Sequence, residues 1–202
     1  MIKIKSEINF FHEPELENPV LVEGLPGIGY VGKLAIDHLI DELDAEKFGE
    51  MTSPYFPHHV KIKEDGVLET VKIDFYQSEI DGRDFVFLAG DVQATSSEGH
   101  YEVTEKLLDL AEQIGVQQIF SLGGYATGEH KDSQPKVVAT TNNEGLLEKY
   151  REEGVEVDEK SGPILGVSGL LLAKANSRGL DGSALLGETH GMLVDHRSAQ
   201  SV

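Results

Sequence analysis

A chain of 202 residues without a cysteine, carrying 36 acidic against 17 basic side chains, excludes disulfide staples, thiolate catalysis, iron–sulfur clusters and cysteine-ligated zinc. Its length suits one domain with a single sizeable core. The formal charge of −19 repels the phosphate backbone of nucleic acid, and no Lys/Arg cluster offsets it.

The acids are spread through every segment, which describes a solvated face. Such a face suits a salty cytoplasm, or alternatively a basic partner. The start, Met1-Ile2-Lys3-Ile4-Lys5-Ser6-Glu7, alternates apolar and polar and has no secretory character. The most apolar run, Gly162 to Ala173, stops at Lys174, short of the ~18 residues a membrane span needs. A cytoplasmic protein with no membrane partner is expected.

Ile2 to Phe11 reads as an opening strand, and Val20 to Glu23 as a second that enters a glycine-rich turn. From Val31, apolar residues Leu34, Ala35, Leu39 and Leu43 recur at helical spacing, so the turn opens a helix. Strand-like runs follow at Glu50 to Ser53, His59 to Lys63, Leu68 to Phe75 and Phe85 to Ala89. Glu64-Asp65-Gly66 and Asp81-Gly82 supply turns between them. Tyr101, Leu107, Leu108, Leu110, Ala111 and Ile114 predict an amphipathic helix that closes near Gly115. Val116 to Leu122 is then an apolar strand ending in Gly123-Gly124. Val137 to Thr141 predicts a strand, Leu146 to Glu153 a helix, and Ile164 to Arg178 a buried helix closed by Gly179. A short strand, Ala184-Leu185-Leu186, precedes Gly187-Glu188-Thr189-His190-Gly191. Asp195 is placed to cap a final helix that begins at His196.

Strands alternating with helices of about a dozen residues predict a single α/β domain over residues 1–202, with a mostly parallel central sheet flanked by helices. The hairpin-rich stretch between residues 50 and 90 makes that sheet mixed.

The strongest local motif is Gly24 to Leu34. Gly27-x-Gly29-x-x-Gly32 lies between a strand and a helix, as a dinucleotide fingerprint does. Pro26 removes an amide donor from that turn, however, and no acid ends a second strand ~20 residues on. Gly27, Gly32 and Lys33 also match a phosphate loop, but Leu34 occupies the place of the magnesium-ligating Ser or Thr. Glycines that let a strand and a helix pack closely explain the same residues. Gly166-Val167-Ser168-Gly169-Leu170 falls one position short of a nucleophile elbow.

The eight histidines show no metal-ligand spacing. Glu188 and His190, like Asp195 and His196, set acids beside imidazoles. That pairing serves general acid–base work or simply a solvated loop. Gly123-Gly124, Gly24 to Gly32 and Gly187 to Gly191 each follow an apolar strand. Ligands of open α/β sheets sit at that edge, so Gly27, Gly29, Gly32, Lys33, Gly123, Gly124, Glu188 and His190 form the candidate ligand loop. Three plain tight turns are the alternative.

Five blocks, taken in order, carry a resemblance: Gly24-Leu25-Pro26-Gly27-Ile28-Gly29-Tyr30-Val31-Gly32-Lys33-Leu34-Ala35, Gly90-Asp91-Val92-Gln93, Leu122-Gly123-Gly124-Tyr125-Ala126-Thr127-Gly128, Gly169-Leu170-Leu171-Leu172 and Leu186-Gly187-Glu188-Thr189-His190-Gly191. Together they resemble the archaeal branch of the proteasome assembly chaperone family. The resemblance implies a phosphorylase/hydrolase-like α/β fold without established enzymatic activity, a homo-oligomer, and proteasome subunits as partners. No catalytic set, metal or cofactor is implied. Chaperones of this type engage the proteasome α ring through a C-terminal tail ending in a hydrophobic residue, a tyrosine and one further residue. This chain has Gln200 and Ser201 in those places, before Val202. The expectation is therefore a domain that lacks its C-terminal helix and tail; the alternative is that the short end from His196 to Val202 docks on the core.

Overall fold

The computed structural model describes residues 5–129, 133–157 and 162–202. In chain order its elements are β1 (Glu7–Phe10), β2 (Val20–Gly24), α1 (Val31–Glu42), β3 (Glu46–Thr52), β4 (Val60–Ile62), β5 (Leu68–Thr70), β6 (Ile73–Ile80), β7 (Arg83–Gly90), α2 (Ser97–Gln113), β8 (Gln118–Ala126), β9 (Val137–Thr141), α3 (Glu144–Glu152), β10 (Glu156–Val157), α4 (Gly166–Ala175), β11 (Asp181–Thr189) and α5 (His196–Ser201). Nine strands form one sheet in the order β1-β3-β6-β7-β2-β8-β11-β9-β10, while β4 and β5 make a separate hairpin.

The centre of the sheet, β7-β2-β8-β11, is parallel. One flank, β1-β3-β6-β7, is antiparallel, and β9 runs antiparallel to β11. This is the single mixed α/β domain the sequence predicts. All five residues of β2 are buried, as expected of a central parallel strand covered on both faces. Alternate side chains divide between two cores. Leu21 and Leu25 join Phe48, Phe75, Leu107 and Leu171 beneath α2 and α4. Val20 and Val22 join Val31, Ile36, Phe87 and Ala199 beneath α1 and α5. Each fully buried Leu or Phe stabilises the fold by ~1.5–3 kcal/mol through apolar area removed from water.

Helix α2 begins where the Ser96 side chain accepts from the Gly99 amide at 3.1 Å, and it buries Val103, Leu107, Leu108, Leu110 and Ala111 on one stripe. Gly115, with φ +76°, lets the chain leave it. Arg178, just beyond α4, reaches Glu105, Asp109 and Glu112 on α2 at 2.5–2.9 Å. These ion pairs tie the two helices together across their solvent edge.

Several expected boundaries move. The run Leu68 to Phe75 divides at Val71-Lys72, because β5 pairs with β4 whereas β6 enters the main sheet. β8 does not end at Gly123-Gly124 but continues to Ala126, and β11 extends from Asp181 to Thr189 around the expected Ala184-Leu185-Leu186. The helix expected from Ile164 starts at Gly166 and finishes as a single tight turn, Asn176–Arg178. The opening strand is Glu7–Phe10; the part of the expected Ile2 to Phe11 strand before Lys5 lies outside the described residues. Asp195 caps α5 by accepting from the Ser198 amide at 3.0 Å. That short helix is held by packing, with Ala199 and Val202 against the α1 core. Among the described residues no helix is long and apolar enough to cross a membrane.

Candidate functional site

β2 hands the chain to α1 through Leu25 to Tyr30, and the geometry there is set by how close α1 lies to the sheet. A Cβ on Gly32 would fall 2.8 Å from the Leu122 carbonyl carbon and nearer still to its oxygen. A Cβ on Gly24 would overlap Ile36, and one on Gly124 would meet the Ile28 carbonyl. Gly123 faces Leu186, with 3.1 Å left for a Cβ. These glycines let backbone lie on backbone where β2, β8 and α1 converge.

Gly29 (φ +64°) and Tyr30 (φ +55°) are both left-handed. Tyr30 occupies the N-cap position of α1 without capping it by a side chain. Gly27 is exposed and extended. Lys33 is engaged with Asp37 and, at 3.4 Å, with Asp91, which also pairs with Lys61. Burial opposes ionisation of Asp91, but Lys61 and Lys33 outweigh it and hold its carboxyl below the usual range.

Glu188 and His190 lie at the far end of β11. They line a cleft of about 340 Å³ with Thr189, Met192, Leu193, Val194 and Arg197, among others. Thr189 donates to Asp195 at 2.7 Å, and the Asp195 amide donates to the Gly29 carbonyl at 2.9 Å, which fastens this loop to the β2–α1 turn. Gly27, Gly29, Gly32, Lys33, Gly123 and Gly124 do not line the cleft. The structure thus brings Glu188 and His190 together, brings Gly29 against Thr189, and sets Lys33 in a separate ion-pair cluster.

Glu23 went unnoticed in the sequence and is the most unusual charge-bearing residue of the fold. It is fully buried on β2. One carboxyl oxygen accepts from the Leu25 amide at 2.9 Å and from the Ser168 hydroxyl at 3.1 Å; the other accepts from Ser121 at 2.5 Å. Burial pushes its carboxyl up, and the three donors offset part of that. Beside it, Gln93 donates to the Pro26 carbonyl at 2.6 Å and accepts from the Val167 amide at 2.9 Å. These two side chains join β2, β8 and the start of α4 at the carboxyl edge of the sheet. An acid within Val20-Leu21-Val22-Glu23-Gly24-Leu25 was the available signal, but its partners lie 98 and 145 residues away.

A family model described as the PAC2 family matches residues 21–202. The chain belongs to the PAC2 family. Among curated relatives, the uncharacterized protein MJ1210 of Methanocaldococcus jannaschii is 36% identical over 187 residues, covering 93% of this PAC2 chain and 72% of the relative. The crystal structure of Pyrococcus furiosus PbaB, an archaeal proteasome activator, superposes with a TM-score of 0.93 at 40% identity. It covers 99% of this chain and 86% of PbaB. P. furiosus PbaA, an archaeal homolog of proteasome-assembly chaperone, gives 0.80 at 29% identity, over 96% of this chain and 82% of PbaA. The motif blocks that carry the resemblance all lie within the family match.

Proposed function

We propose that this PAC2 chain works by binding proteins, as a homo-oligomeric scaffold that assists assembly or activation of the proteasome core particle. The observation that carries this reading is the likeness to PbaB over 99% of the chain. The glycine motifs support it too: Gly24, Gly32 and Gly124 are filled by the chain's own backbone and side chains, and Lys33 by Asp37 and Asp91. The acidic surface limits nonspecific association while leaving basic faces of a partner attractive.

Native mass spectrometry of the chain mixed with purified proteasome α and β subunits from the same source tests the reading. A discrete mixed complex is the expected result. A homo-oligomer that leaves both subunits untouched overturns it.

A second reading keeps the cleft. Its volume of about 340 Å³ falls within the range of small-ligand sites; on its wall Arg197 and His190 can pair the phosphate of a phosphorylated ligand, and Glu188 can accept from a nucleoside hydroxyl. A small molecule co-purifying with the wild-type chain, and lost in Glu188→Ala, would favour it.

A further inference from the structure

Methionine and cysteine sulfur are the protein atoms that mild oxidants reach most readily, and this chain has no cysteine and three methionines. Met51 lies on β3 inside the core, 0% exposed. Met192 is 79% exposed, on the 191–194 loop that walls the cleft at the end of β11. Met1 lies outside the described residues. Among the described residues, therefore, one thioether faces solvent and one is closed off from it. The chain has no tryptophan to compete for an oxidant.

The surroundings of Met192 separate its chemistry from the stability of the fold. The loop is fixed at both ends by groups other than its side chain. The Gly191 amide donates to the Thr189 hydroxyl at 3.3 Å, and a Cβ on Gly191, at φ +90°, would stand 2.8 Å from Ala126 Cβ. At the other end the Asp195 amide donates to the Gly29 carbonyl at 2.9 Å, and the Asp195 carboxyl accepts from Thr189 at 2.7 Å. Between these anchors Met192, Leu193 and Val194 are exposed in succession. An oxygen added to the Met192 sulfur displaces little packed structure. It does change the wall of the cleft, because a sulfoxide is polar where the thioether was apolar. The same oxygen on Met51 would enter the core that holds Phe48 and Phe75, where an unpartnered polar group is costly.

We infer that Met192 is a site of reversible oxidation, which takes an oxygen from a hydroperoxide and gives it up to a methionine sulfoxide reductase. In the forward step the thioether sulfur attacks one peroxide oxygen. An S–O bond forms, the O–O bond breaks, and the proton of the transferred oxygen passes to the departing hydroxide, which leaves as water. The sulfur is oxidised and the peroxide reduced. In the return step a dithiol of the reductase becomes a disulfide, and the oxygen leaves as water. Hydrogen peroxide carries no charge, so the field of a chain at −19 does not keep it away. A reductase must enclose the sulfoxide, and an exposed loop presents it in a way a buried strand cannot. The inference concerns this chain alone and stands independently of the proposed function.

The test treats the full chain with millimolar hydrogen peroxide and follows the proteolytic peptides that hold Met1, Met51 and Met192 by mass spectrometry. Met192 is expected to gain one oxygen on the order of tenfold or more faster than Met51, whose oxidation waits for the core to open. While Met51 stays reduced, thermal unfolding of the oxidised chain should match that of the untreated one. On a hydrophobic-interaction column the oxidised chain should elute earlier. The A and B forms of the reductase, supplied with dithiothreitol, should return it to its starting position. The shift should be lost in Met192→Leu, which retains Met1 and is treated identically. A Met192 that resists peroxide, or a Met51 oxidised as fast, overturns the inference, because exposure then does not direct the reaction. A fall in Tm with Met51 still reduced, an equal elution shift in Met192→Leu, or a sulfoxide that both reductases leave in place overturns it as well.

Discussion

Gly32→Ala is the substitution that tests how the glycine motif works. In an isolated helix, replacing this glycine of α1 by alanine would be worth ~1 kcal/mol of added helix stability. In the fold the new Cβ meets the Leu122 carbonyl group, with its carbon only 2.8 Å away and its oxygen nearer. The obstacle is main chain inside the nine-stranded sheet, not the movable end of a side chain, so α1 must lift off β8. Overpacking of this kind costs ~1–3 kcal/mol and occasionally more. Against rigid backbone the upper part of that range applies, and loosening of the α1 core adds to it. The expected net loss is about 3 kcal/mol. For a domain of 202 residues this corresponds to a fall in Tm of about 6–12 °C, at ~2–4 °C per kcal/mol.

Gly27→Ala is the matched control. Gly27 is exposed, and the nearest atom to its Cβ would be the Leu25 carbonyl oxygen at 4.0 Å. Its substitution should change stability by less than ~0.5 kcal/mol. Differential scanning calorimetry of the three proteins, checked by urea unfolding, measures both. If Gly32→Ala melts within 2 °C of wild type, on the order of the uncertainty in such a comparison, close packing is not what the motif is for. Its glycines must then be explained by something that approaches from outside.

Glu23→Gln should stabilise the protein increasingly as pH rises above 4.5, the ordinary glutamate value. The folded-state carboxyl titrates higher than the unfolded one, so the wild type loses stability as pH rises through the interval between them. The Tm difference between wild type and variant, followed from pH 4 to 8, should widen with pH; a constant difference would refute the assignment. Asp195→Ala removes the α5 cap and the acceptor of Thr189, for an expected loss of ~1–2 kcal/mol by chemical denaturation. Asp195 titrates below its ordinary 3.8: burial opposes ionisation, but the Ser198 amide and the Thr189 hydroxyl prevail. The Asp195 contribution is therefore present above the unfolded value and fades as pH falls through the lower folded one. Arg178→Ala breaks three ion pairs with α2 at once. About 1 kcal/mol should be lost at low salt and less at 1 M NaCl; an equal loss at both would point to packing of the arginine stem instead.

Helices α1 and α2, the central strands and the cap at Asp195 were legible because each depends on neighbours within a few residues. Periodicity locates an apolar stripe, and Asp195 before His196 locates the start of α5. The glycine motifs were legible as positions but not as roles. Glycine weakens a strand and favours turns, so Gly123-Gly124 and Gly187 read as strand ends. In the fold β8 and β11 run through them side by side, Leu186 against Gly123 and Gly187 against Gly124. A strand keeps such glycines where another backbone must come close, here Ile28 on Gly124 and Ser198 beside Gly187. Local sequence cannot distinguish the two uses, because the deciding neighbour belongs to a distant element.

Glu23 makes the same point from the opposite direction. Within an apolar strand an acid looks like a residue at the exposed end, yet the register sets it beside Ser121 and Leu88 in the middle of the sheet. Ser168 falls short of a nucleophile elbow because the second glycine, Gly169, comes one position early; in the fold its hydroxyl serves Glu23. At β2 and β8 the carboxyl edge of the sheet, where α/β proteins commonly hold a ligand, is closed by Glu23, Gln93, Ser121 and Ser168, while the cleft at the end of β11 stays open. Farther out, the strained β2–α1 turn and the 191–194 loop expose Ile28, Tyr30, Met192, Leu193 and Val194. The polar groups of the edge hold the turn in place through the Gln93 bond to Pro26, and the turn presents Ile28 and Tyr30.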